Sequence, residues 1–529
     1  MGYRTLIASL IVVAIVAVPF FLADSDAEDE THFVEGGYTY KVLGGTSLEA
    51  VEFDNALAVE HLVTPSYVVH DGVTYTVTVL NCMYQSDVIR SVTVSSTILG
   101  MPYTATVFLG SNISDILVEE GNEAYSSKDG VLFDDKMRTL IMFPKGKALW
   151  SYEFPETVSS VHDFAFADNL ALEEVLLNEG LMDIGAHAFE GCRNLRSINP
   201  IGEMNVLPTS VSIIDEGAFS RCENLHTVLL PEGLRIIGAN AFFDTAIEHV
   251  TVPGKVLDIG VSAFGGCKNL EYIDVRGSQK YTSLDGVLYE AGDENKILMM
   301  YPSGKTDSEF VLDYQVSQIW PEAFNETQYL KKVVLPDTIQ ILPYNAFLNS
   351  ESLEEVDISN IVIVGDGAFY GCTNLKTVVM SERLVSIGYN AFCETGLEEV
   401  TLPASVQTVD PLSFSNCKSL KKFTIPEDSE ASLRFGIMAG SFAVEEIELL
   451  SDKIELGDGA LEIGSETNPV TVKVIKLKTY TIPTYAVSGD YTTLDVKNLG
   501  ERPYPYENLI MVAICIIVLL MIIRIFRGV

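Results

Sequence analysis

Basic residues are scarce in this chain of 529 residues, where 34 Lys and Arg face 73 Asp and Glu for a formal charge of −39. The deficit is concentrated in the body, because residues 1–23 and 509–529 hold no acidic residue and only Arg4, Arg524 and Arg527. Between them 73 acidic residues stand against 34 − 3 = 31 basic ones, a balance of −42. Such a body repels phosphate backbones and anionic lipid, so no nucleic acid is expected as a partner. A solvated acidic surface that keeps a large body soluble accounts for this charge, with a dedicated cation-binding or basic-partner face as the sharper alternative.

Signatures of catalysis are missing as well. The seven histidines, His32, His61, His70, His162, His187, His226 and His249, fall in no H-E-x-x-H, and neither a G-x-S-x-G elbow nor a Walker loop occurs. No C-x-x-C pair offers a structural zinc site. Asp24-Ser25-Asp26 and Asp134-Asp135 do not build a twelve-residue calcium loop. No catalytic, metal or cofactor-binding residue is therefore expected, and the chain is not expected to be an enzyme.

What the sequence does contain is a short, regular period. Ala188-Phe189-Glu190-Gly191-Cys192 returns as Ala218-Phe219-Ser220-Arg221-Cys222, Ala263-Phe264-Gly265-Gly266-Cys267 and Ala368-Phe369-Tyr370-Gly371-Cys372. Weaker copies surround Phe166, Phe242, Phe324, Phe347, Phe392, Phe414 and Phe442, and from Phe324 to Phe414 the steps are 23, 22, 23 and 22 residues. A period this short defines a stacked array rather than a closed globule. Before each Phe runs an extended stretch, as in Leu225-His-Thr-Val228-Leu-Leu230-Pro231, Leu330-Lys-Lys-Val333-Val-Leu335-Pro336 and Leu397-Glu-Glu-Val400-Thr-Leu402-Pro403. Alternating Val-x-Leu is strand spacing and the Pro ends the strand, so each repeat predicts one strand and one turn. Stacked at roughly 4.8 Å, about ten coils form a slab about 50 Å long, with the repeated Phe as an internal ladder.

The pattern L-x-x-V-x-L-P-x-x-L-x-x-I-G-x-x-A-F-x-x-C resembles the BspA-type leucine-rich repeat, also known from treponemal surface proteins, over residues 115–445. The resemblance implies a mainly β solenoid, display at a cell surface and, for some members, adhesion to host proteins or other cells. It carries over no catalytic residues.

The two ends predict the compartment. Leu6 to Leu22 is apolar except for Ser9, follows Arg4 and precedes the small residues Ser25 and Ala27, the layout of a secretory signal ending near Ala27. Leu509 to Ile523 is unbroken apolar chain, and with Arg524-Ile525-Phe526 it reaches about 27 Å as a helix. Arg524 and Arg527 behind it place the C-terminus in the cytoplasm and the repeats outside.

The expected organisation is a signal peptide at 1–27, a β-rich N-terminal cap at 28–114, repeats at 115–445, a C-terminal cap at 446–500, a stalk at 501–508 and a transmembrane helix at 509–526. Two matching inserts lie near 125–147 and 281–305. Tyr125 to Lys147, with Asp129-Gly130-Val131-Leu132-Phe133, recurs at Tyr281 to Lys305, with Asp285-Gly286-Val287-Leu288-Tyr289. An Asp-Gly pair before an apolar run predicts a hairpin, and the second one explains the long step from Phe264 to Phe324.

Six of the eight cysteines lie within the repeats, and the position of Cys192, Cys222, Cys267, Cys372 and Cys417 is held by Thr245, Thr327, Ser350 and Thr395 in sister copies. Exchange with small hydroxyls marks a buried packing site. Cys192 with Cys222 is the best candidate for a disulfide. Asn112-Ile113-Ser114 and Asn325-Glu326-Thr327 fit the glycosylation acceptor pattern.

The sequence thus predicts a membrane-anchored surface protein that binds an extracellular protein or other surface macromolecule through the solenoid face. Candidate face residues are Thr227, Leu229, Lys332, Val334, Glu399 and Thr401. A structural envelope component or spacer without a foreign ligand is the alternative, and an enzyme acting on cell-wall polymers the third reading.

Overall fold

The computed structural model describes residues 32–102, 107–108, 112–292, 295–487 and 489–499. The expected signal segment, stalk and C-terminal membrane helix lie outside the described residues. Among the described residues, no helix is long and apolar enough to cross a membrane.

The repeats stack as parallel coils, and among the described residues helix is nearly absent. Alternation of Val with exposed residues produces short strands whose like positions pair from coil to coil. Glu309–Val311, Lys332–Val334, Glu355–Ile358 and Thr377–Met380 form one parallel sheet. Glu399–Thr401, Lys422–Ile425, Glu446–Leu449, Val470–Leu477 and Thr492–Leu499 form the next. Ser151–Glu153, Glu174–Leu176 and Ser197–Ile198 make the corresponding surface of the N-terminal half.

Each coil carries a second strand that the sequence reading lacks. Residue pairs such as Asp183–Ile184, Ile213–Ile214, Ile236–Ile237 and Asp258–Ile259 form their own parallel ladder. Two residues are too few to display alternation, which is why the pattern escapes a period-two search. The Ala-Phe turn then closes the coil. The Phe N–H donates to the carbonyl at the Ala position of the following coil, at 2.8 Å from Phe189 to Ala218 and from Phe369 to Ala391. These bonds satisfy backbone groups that a buried turn otherwise leaves unpaired.

Two residues per turn lie in the left-handed region, and Asn or Gly holds many of these positions. Asn345 (φ 54°) and Asn349 (φ 53°) in one coil are replaced by Gly367 (φ 58°) and Gly371 (φ 74°) in the next. Asn and Gly tolerate this conformation best.

The Phe rings stack into two columns. Phe143, Phe166, Phe189, Phe219, Phe242 and Phe264 succeed one another at centroid separations of 4.7 to 5.3 Å. Tyr301, Phe324, Phe347, Phe369, Phe392 and Phe414 do so at 4.7 to 5.6 Å. Burying one such ring stabilises by about 1.5–3 kcal/mol. Phe442 is no rung: it is 42% exposed, and Met438 is buried one residue after Ile437, whose carbonyl takes the Phe414 N–H.

Both inserts are hairpins built on Asp-Gly turns with positive φ at both residues. Each divides two cores. Val131, Phe133, Leu140 and Phe143 face the first array while Leu132, Ile141 and Met142 face the N-terminal core. In the second, Leu288, Met299 and Met300 face back to the first array and Val287, Tyr289, Leu298 and Tyr301 face the second. Each insert supplies the first ring of the column that follows it, Phe143 for the first array and Tyr301 for the second.

The N-terminal cap is only partly separate from the array. Residues 32–80 form a five-stranded sheet, but His61–Val63, Ser91–Val94 and Asp115–Val118 already pair in parallel. Tyr84 and Phe108 stack at 6.1 Å as early rungs. Tyr84 stands in place of Phe, and neither Tyr84 nor Phe108 follows an Ala, which conceals these coils in the sequence.

Candidate interaction face

Strands stacked in parallel place every second side chain on one continuous surface. Val228, Val333 and Val400 point into the core, whereas Leu229, Glu399 and Thr401 are exposed and Thr227, Lys332 and Val334 half-exposed. All six candidate residues therefore lie on the outer side. The structure groups Lys332, Val334, Glu399 and Thr401 in the second array and Thr227 and Leu229 in the first, across the second divider.

Charges on this face are arranged in cross-strand pairs. Lys332 meets Glu355 at 3.0 Å, and Lys422 meets Glu446 at 3.2 Å and Glu448 at 2.9 Å. Hydrogen bonds to Glu448 and Glu446 hold the Lys422 ammonium above its ordinary range. Exposed Val379 stands on the strand between these pairs, and exposed Val311 on the edge strand before Lys332.

Sequence reasoning missed the most irregular part of the face. Residues 199–206 are an insertion between the Phe189 and Phe219 rungs, closed by a bridge between Ile201 and Met204. It borders a groove lined by Trp150, Glu174, Arg196, Pro200, His226 and Thr227. The available signal was the step of 219 − 189 = 30 residues where neighbouring steps are near 23.

The cysteines serve the interior. Cys192 and Cys222 are free, so the expected bridge is not formed. Each thiol instead donates to a Phe carbonyl one coil back, Cys192 to Phe166 at 3.1 Å and Cys222 to Phe189 at 3.2 Å. Cys267, Cys372 and Cys417 repeat this geometry, and Ser350 and Ser441 do it with hydroxyls. A shared donor role explains the exchange of Cys with Ser. Burial pushes the thiols up, to about 12 at Cys192 and about 11 at Cys267 and Cys417, so none is a poised nucleophile.

Of the two acceptor asparagines, Asn112 is exposed and bonds Asp87 at 3.0 Å, while Asn325 is buried at 3% exposure. On the turn side His187 stacks on Phe164 at 4.7 Å and meets Glu190 at 3.0 Å, and Glu190 also accepts from Arg221 at 2.7 Å. No group of three or more His, Cys, Asp or Glu among the described residues is placed to hold a metal ion.

These features define a parallel β-solenoid of the leucine-rich repeat class with a long strand face. The sequence matches the BspA type leucine rich repeat region, in six copies, over residues 142–271, 304–421 and 385–489. That is more than half of the chain, and the chain belongs to this family. No curated protein matches it.

Three solved structures illustrate the likeness. A leucine rich cell surface protein from Faecalibacterium prausnitzii is 21% identical over 80% of this chain and 95% of its own, with TM-score 0.46. A leucine-rich repeat protein from Eubacterium ventriosum is 20% identical over 87% and 97%, with TM-score 0.48. The pneumococcal vaccine antigen PcpA is 19% identical over 89% and 98%, with TM-score 0.37.

Proposed function

We propose that this is a membrane-anchored surface protein, not an enzyme, whose strand face binds an extracellular protein or other surface macromolecule. One observation carries the reading. The scaffold repeats in the buried positions while the outer positions differ from coil to coil, from Thr227 and Leu229 to Lys332 and Val334 to Glu399 and Thr401. A rigid surface of this kind loses little conformational entropy on binding. The apolar segments at 6–22 and 509–526 support export and anchoring.

Brief protease treatment of intact cells tests display. Peptides from 32–499 are expected in the medium without lysis, and their appearance only after lysis defeats the proposal. A spacer that touches only copies of itself is the second reading. It draws on the terminal strand Thr492–Leu499, whose Val496 and Leu499 are exposed. Self-association of the purified chain with no heterologous partner on intact cells favours it.

A further inference from the structure

We propose that the groove between Trp150 and the 199–206 insertion takes a Lys or Arg side chain from an extended, apolar-flanked segment of a partner protein. The proposal rests on the reading that the strand face binds a partner, and it specifies that partner's chemistry.

Three observations converge on a cation. First, Trp150 is 63% exposed at the edge of a rigid sheet. Its carbonyl accepts the N–H groups of Glu173 at 2.7 Å and Glu174 at 2.9 Å, which fixes the backbone that presents the ring. An open indole is the best aromatic surface for an ammonium or guanidinium.

Second, the Glu174 carboxylate is held in place without a counter-charge. Ser151 donates to one oxygen at 2.9 Å and Ser197 to the other at 3.3 Å, each from a neighbouring coil. Glu173 is neutralised by Arg196 at 2.7 Å, whereas Glu174 meets no basic side chain among the described ion pairs. With Glu203 also lining the groove, two carboxylates remain uncompensated there. A partner's cation completes this arrangement, and an anion is repelled by it.

Third, the insertion is braced rather than loose. Asn205, 5% exposed, accepts from the Ile198 N–H at 2.8 Å and donates to the carbonyls of Arg196 at 3.0 Å and Thr227 at 3.1 Å. Asn199 bonds both the N–H of Leu177 at 2.6 Å and its carbonyl at 3.0 Å. The two asparagines fix a tip that exposes Ile201 (70%) and Met204 (44%). Apolar side chains on a fixed tip beside an acidic groove match a segment in which a basic residue is flanked by apolar ones.

The chain has two tryptophans, so the full-length Trp320→Phe variant reports on Trp150 alone. The probes are the capped tripeptides Leu-Arg-Leu and Leu-Gln-Leu. A saturable change in Trp150 emission is expected with the Arg peptide, with affinity roughly tenfold above the Gln peptide. Glu174→Gln should remove most of that difference and leave the Gln peptide unchanged. Trp150→Ala, read by anisotropy of labelled peptide, should weaken the Arg peptide by a similar factor.

Equal binding of the two peptides, indifference to both substitutions, or a Trp150 response to neutral oligosaccharide but not to the Arg peptide overturns the proposal. Photo-crosslinking at Thr401 on intact cells separates its failure from that of the wider reading. Crosslinks that persist while the groove fails sink this inference alone, and their absence sinks the face-binding reading as well.

Discussion

The rings of Phe189 and Phe219 lie 5.2 Å apart and within 1° of parallel, although 30 residues separate them. Phe347 and Phe369, separated by 22, stack at the same 5.2 Å and within 2°. The eight additional residues are thus diverted entirely to the strand face. The ladder sets the pitch of the array, and length variation is discharged where a partner can meet it.

A rung in mid-column should therefore be costly to remove. Phe369→Ala is expected to destabilise the second array by about 3–5 kcal/mol, through lost burial, a cavity and two lost ring contacts. Phe442→Ala, at an exposed site, should change stability by less than about 0.5 kcal/mol. Urea denaturation of both variants checks this, and comparable losses refute the ladder.

The described thiols should stay silent in the folded protein. Iodoacetamide at pH 8 is expected to label none of Cys82, Cys192, Cys222, Cys267, Cys372, Cys393 and Cys417 until the chain unfolds, because all are buried. Burial raises the folded values from the ordinary 9.0 to about 11 at Cys267 and Cys417 and about 12 at Cys192. The unfolded chain then ionises first, so this stabilisation is complete below about 9 and is lost as the pH climbs toward 11 to 12. Mass spectrometry of alkylated protein and melts between pH 8 and 11 test both statements.

The His187–Glu190 pair imposes a window at lower pH. The Glu190 carboxylate, 3.0 Å from the His187 Nδ1, raises His187 above its ordinary 6.5, against the opposing effect of burial, with the carboxylates of Glu216 and Asp163 adding to it. The same contact lowers Glu190 below 4.5, helped by Arg221. The His contribution is full below 6.5 and fades as the pH rises through its raised value. That of Glu190 is full above 4.5 and fades as the pH falls through its lowered value. Both act between 4.5 and 6.5, where His187→Gln should cost on the order of 1 kcal/mol. A loss as large at pH 9 as at pH 5.5 would show that packing on Phe164, and not the ion pair, is responsible.

Glycan attachment should discriminate between the two acceptor sites. Expressed in a secretory host, the chain is expected to carry glycan at exposed Asn112 and none at buried Asn325, whose partner Thr327 is also buried. Occupancy at Asn325 in glycopeptide mass spectra contradicts the packing of that coil.

Much of this architecture is legible in the residues because burial imposes the same choice in every coil. Ala188-Phe189 and its copies mark the ladder, Val-x-Leu marks the face strand, and Asp129-Gly130 and Asp285-Gly286 mark the hairpin turns. The parts that escape have weak local signals. Ile236–Ile237 is a strand too short to alternate, and Tyr84 and Met438 replace Phe where the array nears its ends. Trp150 and Glu174 come together through stacking of separate coils, and no motif announces a site made by register. The thiol-to-carbonyl bonds are hidden for the same reason, since Cys192 and Phe166 are neighbours only in the stack.

The most direct test of the central claim places a photo-crosslinking residue singly at Thr227, Val334 and Thr401 on the strand face, and at Tyr344 and Tyr389 on the turn side, in the full chain on intact cells. The account predicts a crosslinked partner of constant mass from the face positions and none from the turn side. Crosslinks from Tyr344 and Tyr389 with silence at the three face positions contradict it.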